Sequence, residues 1–173
     1  MSNVFLFEKI NGLANVYTGL NYLAIFFADY LLYIVLALIF IGLFIKRSRL
    51  MAVSTAVAVF IARIIFAEPL KQIFHQARPY VVLENVNKLI NEHGDYASFP
   101  SGHAVIFFAV ATAVFLFNRK LGIFAFFIAL LVGIARVYAG VHWPIDIVAG
   151  GVIGILAGII TNNFIIVPII KRL

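Results

Sequence analysis

A chain of 173 residues that is 64% hydrophobic and 12% charged, with mean hydropathy +1.09, carries more apolar surface than a water-soluble core can hide. Its formal charge of +6 does not point to nucleic acid, because the basic residues fall in short clusters between apolar runs rather than along one face or arm. Cysteine is absent, which excludes disulfides and thiolate metal sites.

The first residues lack a basic stretch followed by a small-residue cleavage site, so no removable signal peptide is expected. Leu6, Ile10, Leu13, Tyr17 and Leu20 then recur every three or four positions, with Glu8, Lys9, Asn11 and Asn15 between them. That spacing predicts an amphipathic helix in the membrane interface, with packing on the protein's own surface as the alternative. Five apolar runs follow, at 22–45, 50–67, 103–117, 121–138 and 145–170. Each is long enough, or nearly so, to cross a hydrocarbon core about 30 Å thick. The third is short and the last is longer than needed.

Asp29 and Arg63 are charges inside the first two runs, and pairing with each other is the simplest expectation. Gly150, Gly154 and Gly158 make a small-residue ridge on the last run, suited to packing against another helix of the same bundle. There is no repeat, linker or low-complexity segment. The expectation is one domain over residues 1–173: an all-α integral membrane bundle of about five transmembrane helices plus the N-terminal interfacial helix.

Charge orients that bundle. Lys46, Arg47 and Arg49 lie between the first two runs, Arg119 and Lys120 between the third and fourth, and Lys171 and Arg172 follow the fifth. None of these sites holds an acid; Glu8, Asp29, Glu68, Glu84, Glu92, Asp95 and Asp146 fall at or near the opposite side. The positive-inside rule makes the basic ends cytoplasmic and puts the two termini on opposite sides of the membrane. Loops 68–102 and 139–144 then share the extracytoplasmic face, and they hold every candidate for chemistry.

In "KQIFHQARP" (71–79), Lys71 and Arg78 are two helical turns apart, so both are expected on one face of a short helix that Pro79 ends. In "PSGH" (100–103), Ser101 is placed to cap the third run, and Gly102 lets an anion approach the unpaired N–H groups there. In "ARVYAGVHWPID" (135–146), Gly140 closes the fourth run after Arg136, and Pro144 opens the fifth. Asp146 lies in that first turn, within reach of one ring nitrogen of His142. Singly, each feature has an ordinary structural reading: a snorkelling pair, an N-cap, an interfacial histidine, a capping aspartate. Together, three cations, a helix N-terminus, two histidines and a carboxylate converge on one face, which is what a phosphoryl group in transfer needs. The carboxylates are too few for a two-metal site. His75 and His93 read as surface or structural.

These motifs, Lys71-x6-Arg78-Pro79, Pro100-Ser101-Gly102-His103 and Arg136-x5-His142-x3-Asp146, resemble the three-part signature of the type 2 phosphatidic acid phosphatase superfamily, which includes the vanadium haloperoxidases. The resemblance covers residues 71–146. It implies His142 as the nucleophile that forms a phosphohistidine, Asp146 as its orienting partner, and His103 as the acid for the leaving oxygen. Lys71, Arg78, Ser101, Gly102 and Arg136 are implied as the phosphate-binding shell, with no metal and no cofactor. Ala135 stands where the family usually has Ser, which removes a hydrogen bond near the site. Small size and the context "HGDYASFPS" are similar to bacterial undecaprenyl-diphosphate phosphatases, although many of those have Asp at the position of Gly102.

The resemblance therefore implies a multi-pass inner-membrane hydrolase of a lipid phosphate or diphosphate, undecaprenyl diphosphate first, acting at the extracytoplasmic leaflet. A lipid A 1-phosphatase or a phosphatidylglycerophosphate or phosphatidate phosphatase is the alternative. A non-catalytic phospholipid-binding or transport protein would need only the cations, so the retained histidines and carboxylate argue against it; pervasive apolarity argues against a haloperoxidase. The expected partners are the lipid substrate and the bilayer, not nucleic acid. Oligomeric state and the choice among lipids are not legible in the residues.

Overall fold

The computed structural model describes residues 3–170, so the basic residues Lys171 and Arg172 lie outside the described residues. Every regular element among those residues is helical. Helix α1 is Asn3–Asn11; α2 is Thr18–Phe44; α3 covers residues 49–74; α4 is the single turn Pro79–Val82. Helix α5 is Gly102–Phe117, α6 is Arg119–Tyr138 and α7 is Pro144–Ile166, with Val167–Ile170 continuing it.

Among the described residues four segments are long and apolar enough to span a bilayer: Thr18–Phe44, Arg49–Val82 (its helix proper ending at Phe74), Arg119–Tyr138 and Pro144–Ile166. The fifth apolar helix, α5, has 16 residues, about 24 Å at 1.5 Å per residue. Its shortness follows from its place. It is the central helix, burying Ala104–Ala109 and Ala111–Ala113 against α3, α6 and α7. Protein rather than lipid surrounds much of it, so it need not match the hydrocarbon thickness. Helix α2 lies at the other extreme: over Leu31–Phe44 it buries no residue, and its Leu, Ile and Phe side chains form an outward apolar face.

Small residues set the central packing. A Cβ on Gly154 would come within 2.5 Å of the Val105 carbonyl oxygen, and one on Gly158 within 2.6 Å of the Thr112 Cβ. The ridge on α7 is therefore the surface on which α5 lies, as its spacing predicted. Ala58, Ala62 and Ala67 of α3 meet Val105, Ala109 and Ala113 of α5 and Ala157 of α7 in one buried cluster. On the other flank, Phe107 and Phe108 pack with Ala129 and Val132.

The N-terminal helix differs from its predicted form. It ends at Asn11, not near Leu20, and turns separate it from α2. Its buried residues are Phe7 and Asn11, and Leu13, Tyr17 and Leu20 are exposed. Phe7 packs in a tilted arrangement against Trp143, with ring centroids 5.2 Å apart, while the Asn11 amide donates to the carbonyls of Asn87 and Tyr138 at 2.9 and 2.8 Å. These long-range bonds define the inward face, overriding the stripe read from hydropathy alone.

Among the described residues three helices contain π-helical stretches: Phe26–Tyr30, Ile61–Ala67 and Asn162–Ile166. The first carries Asp29 and the second Arg63. These two do not pair, contrary to the sequence expectation. Arg63 instead forms an ion pair with Glu68, five positions along, a separation that the i→i+5 turn of a π-helix brings onto one side.

Candidate functional site

The C-terminal ends of α3 and α6 and the N-terminal ends of α5 and α7 lie at one end of the bundle, closed over by loop 83–101. A cavity of about 560 Å³ opens there. Lys71, Arg78, Gly102, His103, Arg136 and His142 all line it, and Ser101 and Asp146 are buried directly behind them.

Lys71 and Arg78 arrive by a route other than the one the spacing predicted. The helix stops at Phe74; His75 takes a left-handed conformation (φ 42°, ψ 40°), and Arg78 is extended (φ −73°, ψ 158°). Pro79 disfavours the α conformation for the residue before it, and here Pro79 opens α4 instead of ending a helix. Both cations still reach the cavity, from a helix end and from an extended strand of chain. The Lys71 ammonium donates to the Ala97 carbonyl.

Loop 83–101 clasps Arg78. Its backbone N–H donates to Asp95 O (2.9 Å), Nε to Gly94 O (3.0 Å), Nη2 to Glu92 (3.0 Å) and to Ala97 O (3.4 Å), and Nη1 to Val141 O (2.8 Å). Arg136 is almost wholly buried in the last turn of α6. Its Nη1 donates to the Ala28 carbonyl at 3.0 Å, within the π-helical stretch of α2, and its Nη2 to Glu92. One carboxylate thus bridges the two guanidiniums and fixes their positions at the cavity.

His142 follows Gly140, whose φ of +80° turns the chain out of α6. The imidazole is fully buried between Asp146, with Nδ1 3.3 Å from Oδ2, and Arg78, with Nη1 3.3 Å from Nε2. With Nδ1–H donating to the carboxylate, Nε2 carries its lone pair toward the cavity and accepts from Arg78. Burial, and then Arg136, Arg78, Lys71 and His103, hold His142 well below its ordinary 6.5, so it is neutral near pH 7. Asp146 Oδ2 also accepts from the Trp143 N–H at 2.9 Å and from Ser98 Oγ at 2.6 Å.

One expectation is corrected. Ser101 occupies the N-cap position of α5, but its hydroxyl makes no capping hydrogen bond; its backbone N–H donates to the Asp146 carbonyl at 3.1 Å. Ala135 packs its methyl into an apolar cluster with Ala28, Ala139 and Val141, and the hydroxyl supporting the His–Asp pair is that of Ser98. Ser98 and Glu92 were not singled out from sequence. Ser98 lies in the same short loop as the PSGH motif, which is a usable signal. Glu92 is 44 residues from Arg136, and nothing local announces it. His75 and His93 are exposed, with His93 at the cavity rim.

Six buried side-chain polar atoms among the described residues lack a hydrogen-bond partner, and four belong here: Ser101 Oγ, His103 Nε2, Arg136 Nε and Asp146 Oδ1. Such atoms are costly to bury, so their concentration in one place marks a site that binds a polar group.

The family model of the PAP2 superfamily matches residues 47–167. The chain belongs to that superfamily. It is 36% identical over 160 residues to the bacitracin transport permease protein BcrC of Bacillus licheniformis, covering 91% of this chain and 77% of that one. It is 36% identical over 154 residues to an undecaprenyl-diphosphatase of Sulfolobus acidocaldarius, covering 88% and 73%. Among solved structures, Aquifex aeolicus LpxE superposes with a TM-score of 0.80 at 35% identity over 92% of this chain and 93% of that one. A PAP2-type phosphatidylglycerolphosphate phosphatase from Bacillus subtilis shares the fold, with a TM-score of 0.69 at 24% identity over 92% and 84%. This PAP2 protein is thus a phosphatase of lipid phosphates, built as a multi-pass membrane bundle.

Proposed function

We propose that this PAP2 protein hydrolyses undecaprenyl diphosphate at the extracytoplasmic leaflet of the plasma membrane through a phosphohistidine at His142. The observation that carries the reading is one cavity joining three cations, a helix N-terminus, a neutral buried histidine backed by a carboxylate, and a second histidine. The named undecaprenyl-diphosphatase among the relatives supports the choice of lipid.

In this mechanism the terminal phosphoryl group enters between Arg78, Arg136 and Lys71, and takes donors from Ser101 Oγ, Arg136 Nε and the Gly102 backbone. Arg78 then exchanges its bond to His142 Nε2 for a phosphoryl oxygen, which frees the nitrogen lone pair. Nε2 attacks phosphorus; the N–P bond forms as the P–O bond to the leaving group breaks, and His103 gives that oxygen its proton. Asp146 holds the Nδ1–H tautomer and stabilises the charge that develops on the ring. Water then attacks phosphorus, its proton passes to His103, and the N–P bond breaks to release inorganic phosphate. The cations neutralise the equatorial oxygens, a role that metal ions fill in other phosphoryl-transfer sites.

The test is phosphate release by detergent-purified protein over a panel of polyprenyl diphosphates, phosphatidylglycerophosphate, phosphatidate and lipid A. The expected result is highest kcat/KM for the polyprenyl diphosphate, activity unchanged in excess EDTA, inhibition by vanadate, and no turnover by His142→Ala. A higher kcat/KM for another lipid overturns the substrate reading. Loss in EDTA restored by Mg²⁺, or turnover by His142→Ala, overturns the mechanism.

A further inference from the structure

Four cations line the cavity, and the proposed chemistry uses three. The fourth is Arg63. It stands inside a membrane-spanning stretch, where an ionised side chain persists only with a partner or a function. Its guanidinium reaches the N-terminus of α5, where a Cβ on Gly102 would come 3.2 Å from Nε. It therefore borders the residue before His103, and it takes no part in the Arg78–Glu92–Arg136 ion-pair cluster. About a third of the side chain, 32%, remains exposed toward the opening.

That position is the leaving-group side of the reaction. A phosphate monoester expels an alkoxide, which one proton from His103 turns into a neutral alcohol. A diphosphate expels a phosphate monoester that keeps negative charge after protonation and needs a cation beside the acid. We propose that Arg63 forms a second phosphate subsite, next to His103, that binds the phosphoryl group remaining on the lipid when a diphosphate is cleaved. The inference rests on the diphosphate reading of the preceding section and names the residue that sets the preference over monophosphates.

Two carboxylates, Glu68 and Asp29, line the same cavity, and a phosphate held by Arg63 must displace the first and stay clear of the second. Glu68 pairs with Arg63 and is the more exposed partner, at 43%, so its carboxylate swings into solvent as the lipid phosphate takes the guanidinium. Asp29 and Tyr33 of α2 border the same opening. The planar fork of Arg accepts two phosphoryl oxygens at once, which a lysine ammonium does less well.

The experiment compares farnesyl diphosphate with farnesyl monophosphate on one preparation, so that the tail and any misfolded fraction cancel in the ratio of kcat/KM values. Arg63→Gln is expected to lower the diphosphate-to-monophosphate ratio at least tenfold relative to wild type, where loss of one preorganised charge-stabilising donor costs about 10²–10³-fold. Arg63→Lys is expected to restore part of it, and Glu68→Gln to hold or raise it. If the Arg63–Glu68 pair is only structural, Glu68→Gln lowers the ratio as much as Arg63→Gln does, and the subsite is overturned. Wild-type cleavage of the diphosphate with an unchanged ratio in Arg63→Gln overturns the subsite alone. A wild-type enzyme that releases no phosphate from the diphosphate overturns the substrate reading and the subsite with it.

Discussion

The Asp146 carboxylate holds three donors on one oxygen: Ser98 Oγ, the Trp143 N–H and the His142 ring. Ser98 is fully buried, so removing its hydroxyl leaves the carboxylate under-satisfied, which costs about 1–3 kcal/mol where the group is buried. Ser98→Ala is expected to lower kcat by about tenfold with KM little changed, since Ser98 acts through Asp146 and does not touch substrate. Asp146→Asn is expected to cost several orders of magnitude more, because the amide no longer fixes the tautomer that exposes Nε2. Lys71→Ala and Arg136→Ala are each expected to cost about 2–4 kcal/mol in kcat/KM, as removal of one preorganised donor does.

The depressed His142 value has a sign that can be checked: only protonation disables the nucleophile, and burial delays protonation to well below pH 6.5. The acid limb of kcat/KM should therefore fall below pH 6.5 in the free enzyme. The unfolded chain takes up that proton near 6.5 and the folded chain does not, so stability should decline as pH drops through and below 6.5. An acid limb above 6.5 would contradict the buried neutral imidazole.

The functional side chains sit at helix ends or in the short segments joined to them, so helix packing fixes their height, and α5 against α7 is the contact that matters most. That contact depends on glycine. A Cβ on Gly154 meets backbone atoms of α5 at 2.5 and 2.8 Å, and backbone has no rotamer to yield. Gly154→Val should therefore push α5 off α7, destabilise the fold by about 1–3 kcal/mol or more, and lower Tm in detergent. Gly19→Ala, where nothing lies within 4 Å, should leave Tm nearly unchanged. Because α5 carries Ser101 and His103 while α7 carries Asp146, Gly154→Val should also cost activity before it costs folding.

The bundle places all of this machinery at one end, and the basic turns at 46–49 and 119–120 at the other. Orientation in the membrane follows from which end holds Lys and Arg without acids. The chain has no cysteine, so single thiols report cleanly. Ser48→Cys is expected to resist a membrane-impermeant reagent in intact cells, and Asn91→Cys, on the exposed loop over the cavity, to react. Labelling of Ser48→Cys from outside would invert the topology and move the reaction to the cytoplasmic leaflet.

Apolar runs, basic turns, the glycine ridge and the three motifs depend on local composition and on spacings within one helix, so residue order was enough to find them. Gly140, Pro144 and Asp146 were legible because a helix end obeys short-range rules of φ, capping and dipole. The path from Lys71 to Arg78 was misread because two helical turns and a broken helix give the same residue count; the backbone restriction before Pro79 chose between them. Glu92 between Arg78 and Arg136, Ser98 on Asp146, and Arg63 with Glu68 rather than Asp29 depend on how helices and loop 83–101 are brought together. A charge within a span must find a partner, but which partner it finds is set by the distance and rotation of neighbouring helices, and those are properties of the packed bundle.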